Sequence, residues 1–398
     1  MNIFVVNSGS SSIKYQLFRW PSEQPVCSGL AERIGQENAT ITHKTFLGGQ
    51  ERTTRQTLAL ADHEAGLREV VALLTHSPGG VLHNPAEIDV VGHRVVHGGE
   101  RFAATTEVNE AVKAAIRELF ALAPLHNPAN YLGIEVAERL FPQARQVAVF
   151  DTAFHQTMPE YAFRYALPER LYAEHGLRVY GFHGTSHQYV AAQAAAHLGN
   201  PAPRLITVHL GNGCSMAAVR EGRSVDTSMG FSPLAGLVMG TRSGDLDPAV
   251  VLYLQSQLGY TAAEVSALLN QQSGMLGLTG FSDMRDIGRA LSQGDPTAER
   301  AYDLYAYRIR KYIGAYTAVL NGLDALVFTA GVGENDALVR RRACQDLDYL
   351  GIELDEARNQ ARTAGLRDIS RPGSRVRILV IPTNEEVEIA RQCAGLAG

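Results

Sequence analysis

The sequence predicts an α/β protein built from two similar domains, and three observations carry that expectation. Strand-like and helix-like runs alternate along the whole chain. At 398 residues it is long for a single hydrophobic core, so two domains are the default. A strand, a small-residue turn and a second strand occur once in each half. The first copy is Val5-Val6-Asn7-Ser8-Gly9-Ser10-Ser11-Ser12, and the second is Leu210-Gly211-Asn212-Gly213-Cys214-Ser215. Two such hairpins suggest two related domains facing each other, although short Gly-rich hairpins also arise by chance.

Taken in order, short apolar runs bounded by turn residues predict strands at Ile3–Val6, Ile13–Phe18, Val147–Phe150, Leu205–Leu210, Met216–Val219, Ala325–Thr329 and Arg377–Ile381. Apolar residues at helical spacing predict helices over Glu107–Leu122, Asn130–Leu140, Ser186–Leu198, Ala298–Leu320 and from Glu385 to about Cys393. Thr383 with Glu386 three residues on predicts a capping box for that last helix. No repeat of 20–50 residues and no low-complexity segment is visible.

Composition narrows the function. Hydrophobic residues make up 45% and charged residues 19%, ordinary for a soluble globular protein. The net charge of −5 and the lack of a basic block argue against a nucleic-acid partner. No apolar run approaches the ~20 residues of a membrane span. The start, Met1-Asn2 followed by Ile3–Val6, has no basic segment and no cleavage site of a secretory signal. Cys27, Cys214, Cys344 and Cys393 lie far apart and form no C-x-x-C pair. They read as free thiols of a cytoplasmic protein.

Three loops are candidate phosphate sites, because phosphate binds where backbone N–H groups converge and no side chain blocks the approach. Asn7 to Ser12 offers small residues, with Ser10, Ser12 and Lys14 close by; taken alone it reads as an ordinary hairpin with a solvated lysine. His209-Leu210-Gly211-Asn212-Gly213 reads as a type I′ turn whose amides can still face a phosphate. Gly331-Val332-Gly333-Glu334-Asn335 follows the strand Ala325–Thr329 and precedes a helix. None of the three matches a dinucleotide fingerprint or a P-loop.

Charged groups interrupt apolar stretches at four further places. Arg94 lies in Val91–Gly99, Asp151 follows the strand Val147–Phe150, and Arg242 lies between Gly240 and Gly244. His183 sits in Gly181–His187, where Ser186 is placed to cap a helix. Each alone reads as a capped helix, a salt-bridged arginine or a hydrogen-bonded core histidine. Together they are what phosphoryl transfer requires: cations around the equatorial oxygens, in-line geometry and a carboxylate to hold Mg²⁺. Arginine suits the first task because its planar fork engages phosphate or carboxylate at two points.

At these residues the sequence closely resembles the acetokinase family. The matching segments are VVNSGSSSIKYQL, GHRVVHGG, HNPAN, FDTAFHQTMP, GFHGTSHQYV, HLGNGCS, DTSMGFSPLAGLVMGTRSGDLDP, FSDMRD, TAGVGEN and IPTNEE, in family order from Val5 to Glu386. The resemblance implies the fold shared by actin, sugar kinases and the Hsp70 ATPase, with two ribonuclease H-like domains around a nucleotide cleft. It places residues 1–150 and 384–398 in one domain and 151–383 in a nucleotide-binding domain. It implies ATP + acetate ⇌ ADP + acetyl phosphate by direct in-line transfer, with Mg²⁺ or Mn²⁺, in a homodimer. Closure of the domains would keep water from the phosphoryl group.

Roles then follow position by position. The resemblance puts Arg94 on the substrate carboxylate, Arg242 on the transferring phosphoryl, His183 in a hydrogen bond to that phosphoryl, and His126 in support. Asp151 matches the essential aspartate; a carboxylate nucleophile needs no base near pH 7, so orienting an arginine or the metal is its expected role. Asn7 and Glu385 match the metal positions, and an acid in the first turn of a helix is also favourable on its own. Ser10, Ser12, Lys14, His209–Gly213, Asp283-Met284-Arg285 and Gly331–Asn335 match the ATP segments. Val96, Leu125, Phe182 and Pro233 match the pocket around the acyl group, where valine leaves room for a methyl. One methylene changes discrimination by only ~1–3 kcal/mol, so propionate is expected as a poorer substrate. The rival readings are a propionate or butyrate kinase and, in another class, an actin- or Hsp70-like ATPase switch.

Overall fold

The computed structural model describes residues 1–75 and 80–397. The chain divides into two compact units, Met1–Ala153 with the segment that starts at Asn384, and Phe154–Thr383.

The first unit begins as an antiparallel meander. Strands β1 (Asn2–Ser8), β2 (Ser12–Arg19), β3 (Pro25–Glu32), β4 (Ala39–Leu47) and β5 (Gln50–Leu58) pair in succession. On the other side of β1 the sheet continues in parallel, through β6 (Val90–Val95) and β8 (Arg145–Phe150), and ends on the short β7 (Thr106–Glu107). The apolar stripe of β1 and β2 meets the helices His63–Thr75 and Asn127–Leu140 in a core that includes Phe4, Val6, Tyr15, Leu67, Val70 and Phe141. Helix Glu385–Ala397 packs against β1 and β6, where Gly92 admits it: a β-carbon there would lie 2.7 Å from Cys393 Sγ.

The second unit repeats this plan. Strands β11 (Arg223–Thr227), β10 (Cys214–Arg220) and β9 (Arg204–Leu210) are antiparallel, and β12 (Ala325–Thr329) and β14 (Arg377–Val380) continue from β9 in parallel, with β13 (Arg367–Asp368) at the edge. The orders β3-β2-β1-β6-β8 and β11-β10-β9-β12-β14 are the same. The two hairpins that echo in sequence are the corresponding β1–β2 and β9–β10 turns. Helix Gly184–Leu198 covers β9 and β12 through Val190, Ala191 and Ala194.

Three expectations need correction. The run Glu107–Leu122 is not one helix: β7 takes Thr106–Glu107, Asn109 caps a helix at Glu110–Glu118, and Leu119–Ala121 tightens into a 3₁₀ turn. The next helix starts at Asn127 instead of Asn130, because Pro128 fits a first turn whose N–H groups have no helical acceptors. Thr383 does not cap the last helix. Asn384 does, its Oδ1 accepting from Val387 N at 3.1 Å, while Glu386 turns to Lys14 Nζ at 2.6 Å. All four cysteines are buried free thiols. Among the described residues no helix is long and apolar enough to cross a membrane.

Candidate active site

In the first unit, parallel pairing brings three polar residues to the carboxyl ends of adjacent strands. Asn7 is near the end of β1, Arg94 near the end of β6, and Asp151 directly follows β8, its N–H donating to Val95 O. This is the edge of an open α/β sheet where ligands bind. Arg94 meets Asp151 at two points, Nε to Oδ1 at 3.1 Å and Nη2 to Oδ2 at 2.5 Å. Its Nη1 donates to Asn7 Oδ1 at 3.4 Å, and Glu385 Oε2 lies 3.7 Å from Nε. Burial works against the Arg94 charge, but Asp151, Glu385 and Glu386 outweigh it and raise its pKa. Asp151 is 1% exposed, and its bidentate contact fixes the orientation of the guanidinium.

The HNPAN segment fixes this edge through residues that sequence reasoning passed over. Asn130 Oδ1 accepts from Val96 N at 3.0 Å and its Nδ2 donates to Ser8 O at 2.7 Å, tying the ends of β6 and β1 together. Asn127 makes the same paired contact with the backbone of His97. The only sequence signal was two asparagines flanking a proline at a helix start, which ordinarily means a cap. His126 is the half-buried N-cap position of that helix. Val96 is buried, whereas Leu125 is 61% exposed. In the β1–β2 turn, Ser10 is exposed, Ser12 is half-buried and Gly9 N donates to Ser12 O; beyond it, Lys14 is engaged by Glu386.

Among the described residues no group of three or more His, Cys, Asp or Glu is arranged to hold a metal. Both Asp151 oxygens face Arg94, which leaves Glu385 and the Asn7 amide as donors. Glu385 is 20% exposed, and at 3.7 Å its contact with Arg94 is too long for a hydrogen bond. One carboxylate and one amide oxygen fit a divalent cation that keeps waters and takes phosphate oxygens as its other ligands.

In the second unit, Gly181–His187 turns sharply into a helix. His183, and not Ser186, occupies the N-cap position, in the left-handed region at φ 56°. That conformation is costly for a residue with a β-carbon and tends to mark a functional turn. Ser186 Oγ instead lies 2.8 Å from both His209 Nδ1 and Thr383 Oγ1. The His183 ring stacks on His209 with centroids 4.2 Å apart. The β9–β10 connection spans Gly211–Gly213 with no positive φ, so it is not a type I′ turn; Gly211 N donates to Gly213 O.

Gly213 marks where His183 and Arg242 converge. A β-carbon built there would lie 3.5 Å from His183 Nε2 and 3.6 Å from Arg242 Nη1. Arg242 is half-buried, donates to Pro233 O at 3.1 Å, and pairs with no carboxylate among the described residues. Burial pulls its pKa down, partly opposed by Cys214. An imidazole nitrogen and an uncompensated guanidinium meet where a glycine leaves space, an arrangement suited to an anion. A Gly213→Ala variant should fold with near-parental stability, since those separations are ordinary contacts. It should lose at least ~10-fold in kcat because the methyl sits where an anion would. Denaturation midpoints and steady-state kinetics would check both halves of the prediction.

Beside this point opens a cleft of about 1450 Å³. It is lined by Gly211, Asn212, Asp283, Met284, Arg285, Gly331, Val332, Glu334 and Asn335, so three separate predicted segments come together. His209, Leu210, Gly213 and Gly333 do not line it; Gly333 O instead accepts from Arg340 Nη1 at 2.8 Å. The Gly331–Asn335 loop is itself a helical turn, Ala330–Asn335, entered at Ala330 with φ 64°. Asp283 caps the helix Met284–Ser292, and its hydrogen bonds with Arg285 hold its carboxyl at about 2. Sequence reasoning missed Asp336, Arg340 and Asn359–Ala364 on the far wall. Arg340 is 1% exposed, and burial pulls its pKa down to about 10 while Asn359 and Gly333 accept its hydrogen bonds. Of the proposed acyl-pocket residues, Phe182 is buried beside His183, and Pro233 contacts Arg242.

Comparison with known proteins agrees with this geometry. The model of the acetokinase family matches residues 2–391. An acetate kinase from Flavobacterium johnsoniae is 54% identical over 392 residues, covering 98% of each chain. The crystal structure of Porphyromonas gingivalis acetate kinase superposes with a TM-score of 0.93 at 43% identity, covering all of both chains. That of a propionate kinase from Francisella tularensis subsp. tularensis gives 0.93 at 41% identity over 99% of each. With a match along almost its entire length, the chain belongs to the acetokinase family.

Proposed function

We propose that this protein transfers the γ-phosphoryl group of ATP to acetate, reversibly, giving ADP and acetyl phosphate. The observation that carries the reading is the convergence of His183 Nε2 and the uncompensated Arg242 on one point above Gly213. A nucleotide switch has no need of such a point, and phosphoryl transfer does. An acetate oxygen attacks the phosphorus while the bond to the bridging oxygen of ADP breaks. No proton is exchanged, because the nucleophile is already an anion. Arg94, oriented by Asp151, holds the acetate carboxylate; Arg242 and His183 neutralise charge on the equatorial oxygens.

The cleft supports ATP as the donor, with the Gly211–Asn212 and Gly331–Asn335 backbones at the phosphates. Glu385 and Asn7 would hold Mg²⁺ or Mn²⁺, which supplies charge neutralisation on the phosphate oxygens. The helix Pro248–Ser256 buries no side chain and exposes Val250, Leu252 and Tyr253. An apolar face of this kind supports a homodimer, and sedimentation would test it. Cytoplasmic residence accords with four buried free thiols.

Acetate is favoured over longer acids by the 54% identity to an acetate kinase and by Val96. Trapping the product as a hydroxamate with ATP, Mg²⁺ and each of acetate, propionate and butyrate should give the highest kcat/KM for acetate. Propionate should follow by roughly tenfold, the value of a methylene or two. A preference for propionate would overturn the acyl assignment, and no acid-dependent turnover would overturn the kinase reading.

A further inference from the structure

The turn between β1 and β2 is held by a residue outside its own hairpin. Asp62 caps the helix His63–Thr75, its Oδ1 accepting from Ala65 N at 2.8 Å. Gly66 lets that helix seat closely: a β-carbon there would lie 3.2 Å from Ile34 Cδ1 and 3.4 Å from Ile13 Cδ1. His63, three residues earlier on the same buried face, thereby reaches the turn. It is buried, and its Nε2 lies 2.6 Å from Gly9 O. A carbonyl has no hydrogen to give, so the ring nitrogen is the donor.

Neighbouring carbonyls of the turn are also taken. Ser8 O accepts from Asn130 Nδ2 at 2.7 Å, Ser11 O from Ile34 N at 3.0 Å, and Ser12 O from Gly9 N at 2.8 Å. The N–H groups of Ser10 and Ser11 donate to no acceptor among the described residues. Within one trans peptide, C=O and N–H point in opposite directions. Gly9 O and Ser10 N–H belong to the same peptide, so fixing the first on His63 aims the second away from it. This peptide is also the one most able to turn over, because glycine accepts backbone angles that other residues resist. Position 9 suits no larger residue, since a β-carbon would lie 2.9 Å from Ser12 Oγ. Turned over, the peptide would offer an anion the negative end of a carbonyl where the N–H had been.

We propose that His63 is a positioning residue that locks the Gly9–Ser10 peptide, so that the Ser10 N–H and not the Gly9 carbonyl is presented to a phosphate group. This rests on the kinase reading above, in which the phosphate is that of ATP. His63 itself touches no substrate and moves no proton; it acts through the backbone of Gly9.

Two substitutions at His63 separate this lock from packing. His63→Leu keeps apolar bulk and removes the donor, whereas His63→Gln keeps an N–H at similar reach. The lock predicts about a tenfold lower kcat/KM for ATP in His63→Leu, with KM for acetate within about twofold, and His63→Gln within about threefold of the parent. A glutamine variant as impaired as the leucine variant would show that His63 only packs, and an unimpaired leucine variant would remove it from the mechanism. The Ser10 amide reports the contact directly in full-length protein labelled with ¹⁵N-serine. Adding Mg²⁺ and β,γ-methylene-ATP should move that resonance in the parent and in His63→Gln, and leave it in place in His63→Leu. A parent resonance that does not respond would overturn the proposal, however well the variants fold. A parent protein whose Ser10 amide responds but which shows no acetate-dependent turnover would sink the kinase reading and leave the lock intact.

Discussion

An Arg242→Ala variant should lose about three orders of magnitude in kcat, roughly 4 kcal/mol, with KM for ATP within about threefold of the parent. The guanidinium donates to Pro233 O at 3.1 Å and to Met239 Sδ at 3.9 Å, and makes no ion pair among the described residues. Little of the fold depends on it, so a net cost of ~1 kcal/mol or less in stability is expected. In the proposed transfer its charge, beside His183 and over Gly213, faces the phosphoryl oxygens on which negative charge accumulates. Interactions made only in the transition state lower kcat and kcat/KM together when removed. Steady-state kinetics with hydroxamate trapping would show this. A rise in KM for ATP matching the fall in kcat would mean that Arg242 holds nucleotide instead.

Arg94→Ala should be the most damaging substitution in the first unit, for two separable reasons. It removes the group proposed to hold the acetate carboxylate, so kcat/KM for acetate should fall ~10³-fold. It also leaves Asp151, 1% exposed, as a buried charge without its bidentate partner. Breaking a buried ion pair by removing one member costs about 3–5 kcal/mol. The double variant Arg94→Ala/Asp151→Ala removes both members of the pair, so it should regain much of the stability and none of the activity. Urea midpoints for the two variants would decide the matter. Coincident midpoints would show that the pair contributes nothing through charge compensation.

How much of this was legible beforehand depended on the kind of interaction. β1, β2, β9 and β12 were readable because continuous or alternating apolar runs bounded by Gly and Ser leave few other options. β5 was not: Gln50–Leu58 is an exposed edge strand, polar on both faces, and only its pairing with β4 makes it a strand. The capping box at Thr383 failed because tertiary partners won. Ser186 took the Thr383 hydroxyl and Lys14 took Glu386. At the site, Arg94, Asp151, His183 and Arg242 could be named from residue type and resemblance. Asn127, Asn130 and His63 could not, because each sits on a helix and bonds to backbone at the end of a strand distant in sequence. Arg340 was invisible for the same reason: nothing local distinguishes a buried arginine held by amides from a solvated one.

The helix Glu385–Ala397 has a consequence in time. The ribosome makes β1, β6 and β8, with Asn7, Arg94 and Asp151, long before it makes the helix that packs against them. Residues 154–383 are translated in between, on the order of ten to fifty seconds. Through that interval the nascent first unit leaves uncovered the strip of sheet around Gly92 that Ile389 and Cys393 later fill. Glu385 and Glu386 are likewise absent from Arg94 and Lys14. A half-made chain therefore carries the Arg94–Asp151 pair without Glu385, and this edge of the sheet is complete only once that helix has been made.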